Sequence, residues 1–361
     1  MSAPSSGRRS LNPPSAADRF LAALAAGLPP GCPGGSPVIV GVSGGADSVG
    51  LLLGLSCMLS VPILVAHAEH DLRAEAADDR AFVVELAAEL GLPCDWRRLA
   101  VRDDRAVRGE GLEARARRLR YAFLAEVAHA RGGRHVLVAH TADDQAETIL
   151  HRILRGTGLA GVGGMRRARG LCDGVALVRP LLAVPRAEVR SFLRETGREW
   201  REDATNADTA RARNFLRHQV LPRCLEGPYP AATDAVVRLG QQAAMVAGAL
   251  GEAANHILSR VSAGNTDGSV VIRSRELTGF GDHLLAELCV ALWLREGWPR
   301  RDMTASHYAA VASLLAGSTT VGDEGRVMDL PGSLRATAEP HGRVRIGPTG
   351  VSLGQGRPSH P

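Results

Sequence analysis

A chain of 361 residues has room for two ordinary cores, and 45% apolar with 22% charged residues excludes a fibrous or wholly disordered protein. The 43 basic residues outnumber the 38 acidic ones for a net charge of +5, compatible with an anionic partner. All 43 are arginine, so no step can use a lysine nucleophile or a phosphate-binding lysine, and any phosphate clamp must be Arg or backbone N–H. The six cysteines are scattered with no C-x-x-C pair, which argues against a zinc knuckle, an iron–sulfur cluster or a redox dithiol. The first 17 residues lack an apolar signal core, and no apolar run is long enough to span a bilayer. The expectation is a cytoplasmic protein that does not enter a membrane.

Residues 1–17, rich in Ser, Pro and Arg, read as a disordered tail, and a short helix is expected over Phe20 to Leu28. Strand and helix signals then alternate. Val38 to Val42 is an apolar run of buried-strand type, followed by a Gly/Ser turn and an apolar helix from Val49 to Leu59. Ile63 to Ala66 reads as a second strand, Glu75 to Leu90 as a helix closed by Gly91, and Trp96 to Val101 as a third strand. A long Arg-rich helix spans Leu112 to Arg131, His135 to Ala139 is the next strand, and Asp143 to Leu154 the next helix. This rhythm predicts an α/β domain with an open, mostly parallel, doubly wound sheet over residues 18–225.

Near Pro222 the pattern changes. Thr233 to Val261 reads as one long helix within a connecting segment, 226–265. A small α+β domain is expected over 266–347, with strands at Ser269 to Arg273, Arg326 to Leu330 and Arg343 to Ile346. Its helices fall near His283 to Arg295 and Thr304 to Leu315. The Gly/Pro/Ser-rich residues 348–361 read as a second disordered tail.

The strongest chemical signal is Ser43-Gly44-Gly45-Ala46-Asp47-Ser48, between a buried strand and an apolar helix. Paired glycines allow a sharp turn and close approach of the backbone to a ligand, and the loop opens onto a helix N-terminus whose free N–H groups attract an anion. Ser43 and Ser48 add hydroxyl donors, which makes the loop a phosphate or pyrophosphate cradle. Without Lys it is not a Walker A loop, and it is not a dinucleotide G-x-G-x-x-G. Asp47 beside phosphates makes sense with a Mg²⁺ ion between them. A second signal is the acid-rich stretch His140-Thr-Ala-Asp-Asp-Gln-Ala-Glu-Thr148. On a helix, Asp143 or Asp144 and Glu147 lie a turn apart and can aim two carboxylates at one point, which is costly unless a cation is present. Helix capping explains Asp143 easily and Glu147 poorly.

The loop resembles the PP-loop of the ATP pyrophosphatases, which split ATP between the α- and β-phosphates and leave AMP on a substrate oxygen. Four further stretches resemble the tRNA(Ile)-lysidine synthetase family. They are His67-Ala-Glu-His-Asp-Leu-Arg73, Glu113 to Tyr121, His140 to Thr148, and Glu202-Asp203 through Asn206 and Asp208 to Arg213-Asn214 and Arg217-His218. Softer matches follow at Met303-Thr304, His307-Tyr308 and Val327 to Pro331. Glu69 and Asp71 depart from the family's usual Asp and Gly.

The resemblance implies an enzyme of the short type, without the extra C-terminal domain of some members. It would use ATP and Mg²⁺ to adenylate the wobble cytidine of a tRNA(Ile) with a CAU anticodon, then attach L-lysine at C2. ATP would lie on Ser43 to Ser48, with its adenine at Ala66 and His67, and Asp47 would help hold the metal. Asp144 and Glu147 would hold the lysine, Arg117 would clamp phosphate charge, and His140 is a candidate base. Arg120, Arg211, Arg213 and Arg217 would contact tRNA, and a homodimer is possible. Base-thiolating PP-loop enzymes share the loop but many need clustered cysteines. An ammonia-releasing amidotransferase lacks its N-terminal Cys nucleophile here. A tRNA-binding module that has lost catalysis is the non-enzymatic alternative.

Overall fold

In the computed structural model, residues 14–70, 76–102, 104, 110–202, 212–317 and 325–349 are described. Asp71, Arg73, Asp203, Asn206, Asp208 and Arg211, singled out in the sequence, lie outside these residues, as do most of both predicted tails. The first sheet grows from strand β1, Val38–Gly41, whose residues are apolar on both faces because both faces are covered. Val38 and Val40 point into one core and Ile39 into another, the period of two expected for a strand between helical layers.

Parallel neighbours of β1 are β2, Ile63–His70, and β4, His135–Val138. Outside β2 lies β3, Cys94–Leu99. Beyond β4 come β6, Val175–Val178, still parallel, and β5, Ala168–Cys172, antiparallel at the edge. The sheet order is β3-β2-β1-β4-β6-β5. The order therefore reverses between β1 and β4, and the crevice at their carboxyl ends is where an open α/β sheet takes its ligands.

Helices α1 (Ala16–Gly27), α2 (Ala46–Met58), α3 (Ala76–Glu89) and α7 (Arg186–Glu195) supply the core on one side of the sheet. Helix α4, Leu112–Ala130, fills the other. α1, α2 and α7 approach closely. Phe20 stacks on Phe192 with ring centroids 4.4 Å apart, and Gly50 and Gly54 of α2 lie under Val189 and under Leu24 and Phe20. Helix α5, Ala142–Leu154, leaves the tip of β4, and α6, Leu159–Val162, follows it.

Four segments of the first unit have no counterpart among the expected elements: α6, the β5–β6 hairpin, α7, and the short run α8 (Ala212–Phe215), a π-turn at Leu216–Val220 and α9 (Leu221–Glu226). β5 is an exposed edge strand, burying none of its residues fully, so it lacks the apolar signature of the inner strands. The strand expected over Trp96 to Val101 begins two residues earlier, at Cys94, and the helix after the glycine loop begins at Ala46, not at Val49.

Contacts divide the chain into two units at Ala244/Met245. The long helix α10, Ala232–Val261, contributes to both: Gly240 meets Ile149, whereas Ala254, Leu258 and Val261 belong to the second core. The second unit has an antiparallel sheet in the order β7-β8-β11-β10-β9. These strands are Ser262–Gly264, Val270–Arg273, Arg343–Pro348, Leu334–Glu339 and Val327–Leu330 respectively. Helices α11, Asp282–Arg295, and α12, Ala305–Gly317, complete its core around the buried Trp293, which meets Trp298 and Tyr308 edge-on. β7 and β10 were not expected. No helix among the described residues is long and apolar enough to cross a membrane.

Candidate active site

A cavity of about 720 Å³ opens at the carboxyl ends of β1, β2 and β4. Ser43, Gly45, Ala46, Asp47 and Ser48 line one wall, Ala66 and His67 another, and His140 and Asp144 a third. The loop is held by its own hydroxyls. Ser48 Oγ accepts from Ser43 N–H at 3.1 Å and donates to the Gly45 carbonyl at 2.9 Å. Gly44 has φ +91°, a backbone conformation that a side chain would strain, while Gly45 has φ −73° and serves as N-cap of α2. Gly44 therefore makes the turn and Gly45 leaves the wall bare.

His67 is 3% exposed, and its Nδ1 lies 2.8 Å from the Val42 carbonyl. Burial pushes its pKa below the ordinary imidazole value. The unusual Glu69 is buried and paired with Arg80 at 2.9 Å, and Arg80 in turn covers the Trp96 ring at 4.4 Å. The extra methylene of Glu relative to Asp is thus taken up by an ion pair with α3.

Helix α5 brings Asp144 to the wall of the same cavity, while Glu147, 3% exposed and off that wall, is tied to it through Arg217. Asp144, not Asp143, caps the helix: its Oδ2 accepts from Thr141 N–H at 2.9 Å. Asp143 accepts the backbone N–H of Arg186 at 2.8 Å instead. The cations that offset the acids are two arginines. Arg217 donates to Glu147 at 2.6 and 2.9 Å and to Asp144 at 2.8 Å. Arg186 donates to Asp144 at 2.9 Å and to Asp47 at 3.1 Å. Expected among tRNA-facing residues, Arg217 thus lies on the acidic pair. Arg186, at the start of α7 and absent from the sequence reading, ties the glycine loop to α5. Pro185-Arg186 opening a helical run was the available signal.

The charges settle accordingly. Burial would raise the Asp144 carboxyl, but Arg186, the Thr141 N–H and Arg217 outweigh it and hold it below the usual range. Burial lifts Glu147 above its ordinary value, with Arg217 offsetting only part, and lifts Asp47 likewise against Arg186. Asp47 Oδ1 is buried without a hydrogen-bond partner. A hard oxygen donor left unpaired beside a phosphate-type loop fits Mg²⁺.

His140 is held down to about 3, first by burial and then by Arg179, Arg117 and Arg120, against the pull of Asp144. It is a neutral imidazole of low basicity. Arg117 and Arg120 lie beside Tyr121 on α4, and Arg120 lines the cavity. Arg213 lies on α8, where its charge adds to burial in lowering the pKa of His151.

A strand–glycine loop–helix cradle at the switch point of a parallel sheet, with a carboxylate in the loop, defines a class of nucleotide-binding α/β proteins. The chain belongs to the PP-loop domain family, whose sequence model matches residues 17–224. It is similar to the tRNA(Ile)-lysidine synthase of Thermus thermophilus, 47% identical over 214 residues, which is 59% of this chain and 40% of that protein. It is similar also to those of Deinococcus radiodurans, 46% identical over 57% of this chain and 34% of the relative, and Rhodopirellula baltica, 40% identical over 56% and 55%. The matches thus span roughly a third to just over half of these curated relatives' length. Among solved structures, the U34-tRNA thiolase NcsA from Methanococcus maripaludis shares the fold. Its TM-score is 0.51 at 14% identity, covering 62% of this chain and 78% of that one.

Proposed function

We propose that this chain is a tRNA(Ile)-lysidine synthetase, acting on a tRNA with a CAU anticodon. ATP would lie on Ser43 to Ser48 with its adenine toward Ala66 and His67. Asp47 would hold Mg²⁺, which when bound supplies charge neutralisation on the phosphates. The wobble cytidine would leave its stack and enter the cavity, where its C2 oxygen attacks the α-phosphorus and pyrophosphate departs. Lysine would then attack C2 with its side-chain amine and displace AMP. Asp144 and Glu147 would hold its ammonium groups, for which lysine must compete with Arg217 and Arg186. His140 would accept the proton, helped by bound anion that offsets the cations now depressing its basicity. Arg117 and Arg120 supply cations for phosphate groups beside the same cavity. Arg211, Arg213 and the second unit would contact tRNA.

The observation that carries this reading is the convergence of the glycine loop and Asp144 on one cavity, bridged by Arg186, with Glu147 tied to Asp144 through Arg217. The 40–47% identity to proteins named for this reaction supports it. The test is transfer of radiolabelled lysine to unmodified tRNA(Ile) with a CAU anticodon, in ATP and Mg²⁺. ATP-dependent labelling that Asp144→Ala abolishes is expected. AMP release driven by tRNA without labelling would leave an adenylating enzyme with another nucleophile. Binding of tRNA with neither signal would remove the catalytic reading.

A further inference from the structure

Helix α4 carries four arginines with two fates. Arg115 donates to the carbonyls of Val101 at 3.2 Å and Asp104 at 3.0 Å. Arg118 pairs with Glu110 at 3.0 Å and with Asp104. Arg117 and Arg120, three residues apart and so on one face, turn to the Tyr121 ring instead, their guanidinium carbons 4.9 and 5.7 Å from its centroid. Arg169 on β5 reaches the same ring at 5.2 Å. Arg179, just after β6, is 2% exposed. It donates to the Arg166 carbonyl at 2.8 Å, and its Nε has no partner.

No carboxylate among the described residues forms an ion pair with any of these four. The contrast with the rest of the cavity is direct, because Arg186, Arg190, Arg201 and Arg217 are each ion-paired. Four guanidinium groups gathered with no carboxylate in ion-pair contact repel one another, Glu113 acting on Arg120 only at longer range, and burying such charge is costly unless something negative joins it. Tyr121 softens the repulsion through its ring face but carries no charge.

The missing anion is a chain of phosphates more naturally than a second triphosphate. The glycine loop and the α2 N-terminus already provide one triphosphate seat. The arginines are graded: Arg179 is buried, Arg117 and Arg120 are half-buried, and Arg169 is exposed on the edge strand. Arg120 and Tyr121 stand on the cavity wall and Arg169 stands exposed on the edge strand, so the cluster runs from the wall outward, which suits a linear polyanion that enters and continues. We propose that Arg117, Arg120, Arg169 and Arg179 around Tyr121 form a phosphodiester seat for the RNA strand that carries the target base. The proposal rests on the reading that the substrate is RNA, and gives Arg117 to that strand and not to ATP.

The test uses the full chain and an unmodified tRNA transcript, with filter binding across a salt series and ATP binding measured in parallel. Arg169→Gln and Arg179→Gln should each weaken RNA binding on the order of tenfold and reduce the slope of log K against log salt by about one, with ATP affinity unchanged. Arg118→Gln, which removes the same charge from the paired face, should bind RNA as wild type. If Arg179→Gln melts early, the exposed Arg169→Gln carries the comparison. Weakened ATP binding with RNA binding intact would make the cluster a triphosphate site and overturn the proposal, as would variants that bind both like wild type. Arginine-dependent RNA binding without lysine transfer would defeat only the lysidine reading. Lysine transfer with RNA binding indifferent to these substitutions would defeat only this one.

Discussion

Gly44 and Gly45 are neighbours of one residue type with different work. At φ +91° Gly44 occupies a conformation that costs an L side chain roughly 1–2 kcal/mol, so Gly44→Ala should lower stability by about that amount. A Cβ on Gly45 would meet only Ser43 Oγ at 3.7 Å and the Arg201 carbonyl at 3.9 Å, both ordinary contacts. Gly45→Ala should therefore fold like wild type while placing a methyl on the cavity wall. We expect ATP to bind on the order of tenfold more weakly, about 1.4 kcal/mol. Isothermal titration with paired thermal melts reads both quantities, and a Gly45→Ala protein that binds ATP at wild-type strength would show that the nucleotide lies elsewhere. At this scale the glycine loop and the acidic pair were legible because their spelling is local. Arg186 was not: it reaches Asp47 from 139 residues away, and only the packing of α7 against α2 brings the two together. The same holds for Arg179 and Arg169, which donate to backbone carbonyls and whose meaning comes from lacking an acidic partner among the described residues, a property no one-dimensional pattern displays.

At the scale of elements, the inner strands and the long helices were legible because burial on both faces leaves near-continuous apolar runs, and periodic helices end at glycine. β5 went unread because an edge strand buries none of its residues fully, and α7 because a short, strongly charged helix buries only Val189, Phe192 and Leu193; β6 is an inner strand, but its apolar run is only four residues long. The α1–α2–α7 layer makes its own prediction. A Cβ on Gly50 would come within 2.5 Å of Val189 Cγ1, on a stiff β-branched side chain that cannot swing away. Overpacking of this kind costs about 1–3 kcal/mol, more than the ~1 kcal/mol that Ala gains over Gly in a helix. Gly50→Ala should lower the melting temperature. Gly251, in α10, has open space around its Cα, so Gly251→Ala should raise stability by about 0.5–1 kcal/mol. Differential scanning calorimetry on the two variants tests the contrast, and a stabilised Gly50→Ala would mean that the three helices do not pack this closely.

For the molecule as a whole, the histidines set an acid limit. His67, His135, His140 and His151 all belong to the first unit, and burial lowers the pKa of each below the ordinary 6.5. A histidine kept neutral by the fold is protonated first in the unfolded chain. The stability it lends is full above about pH 6.5 and falls as pH drops toward the folded value. For His140, held down to about 3, the loss between pH 6.5 and pH 5 is about 2 kcal/mol at 1.36 kcal/mol per pH unit. Asp47 and Glu147, whose carboxyls burial raises, act in the opposite sense, because the folded chain takes up their protons earlier. Asp144, held low, loses its contribution only below the ordinary carboxylate range. The histidine term is therefore isolated by difference. Wild-type protein should lose stability between pH 7.5 and pH 5, and His140→Asn should lose about 2 kcal/mol less over the same interval, read from urea unfolding at each pH. Curves that run parallel for the two proteins would mean that His140 takes up its proton as readily in the folded chain as in the unfolded one.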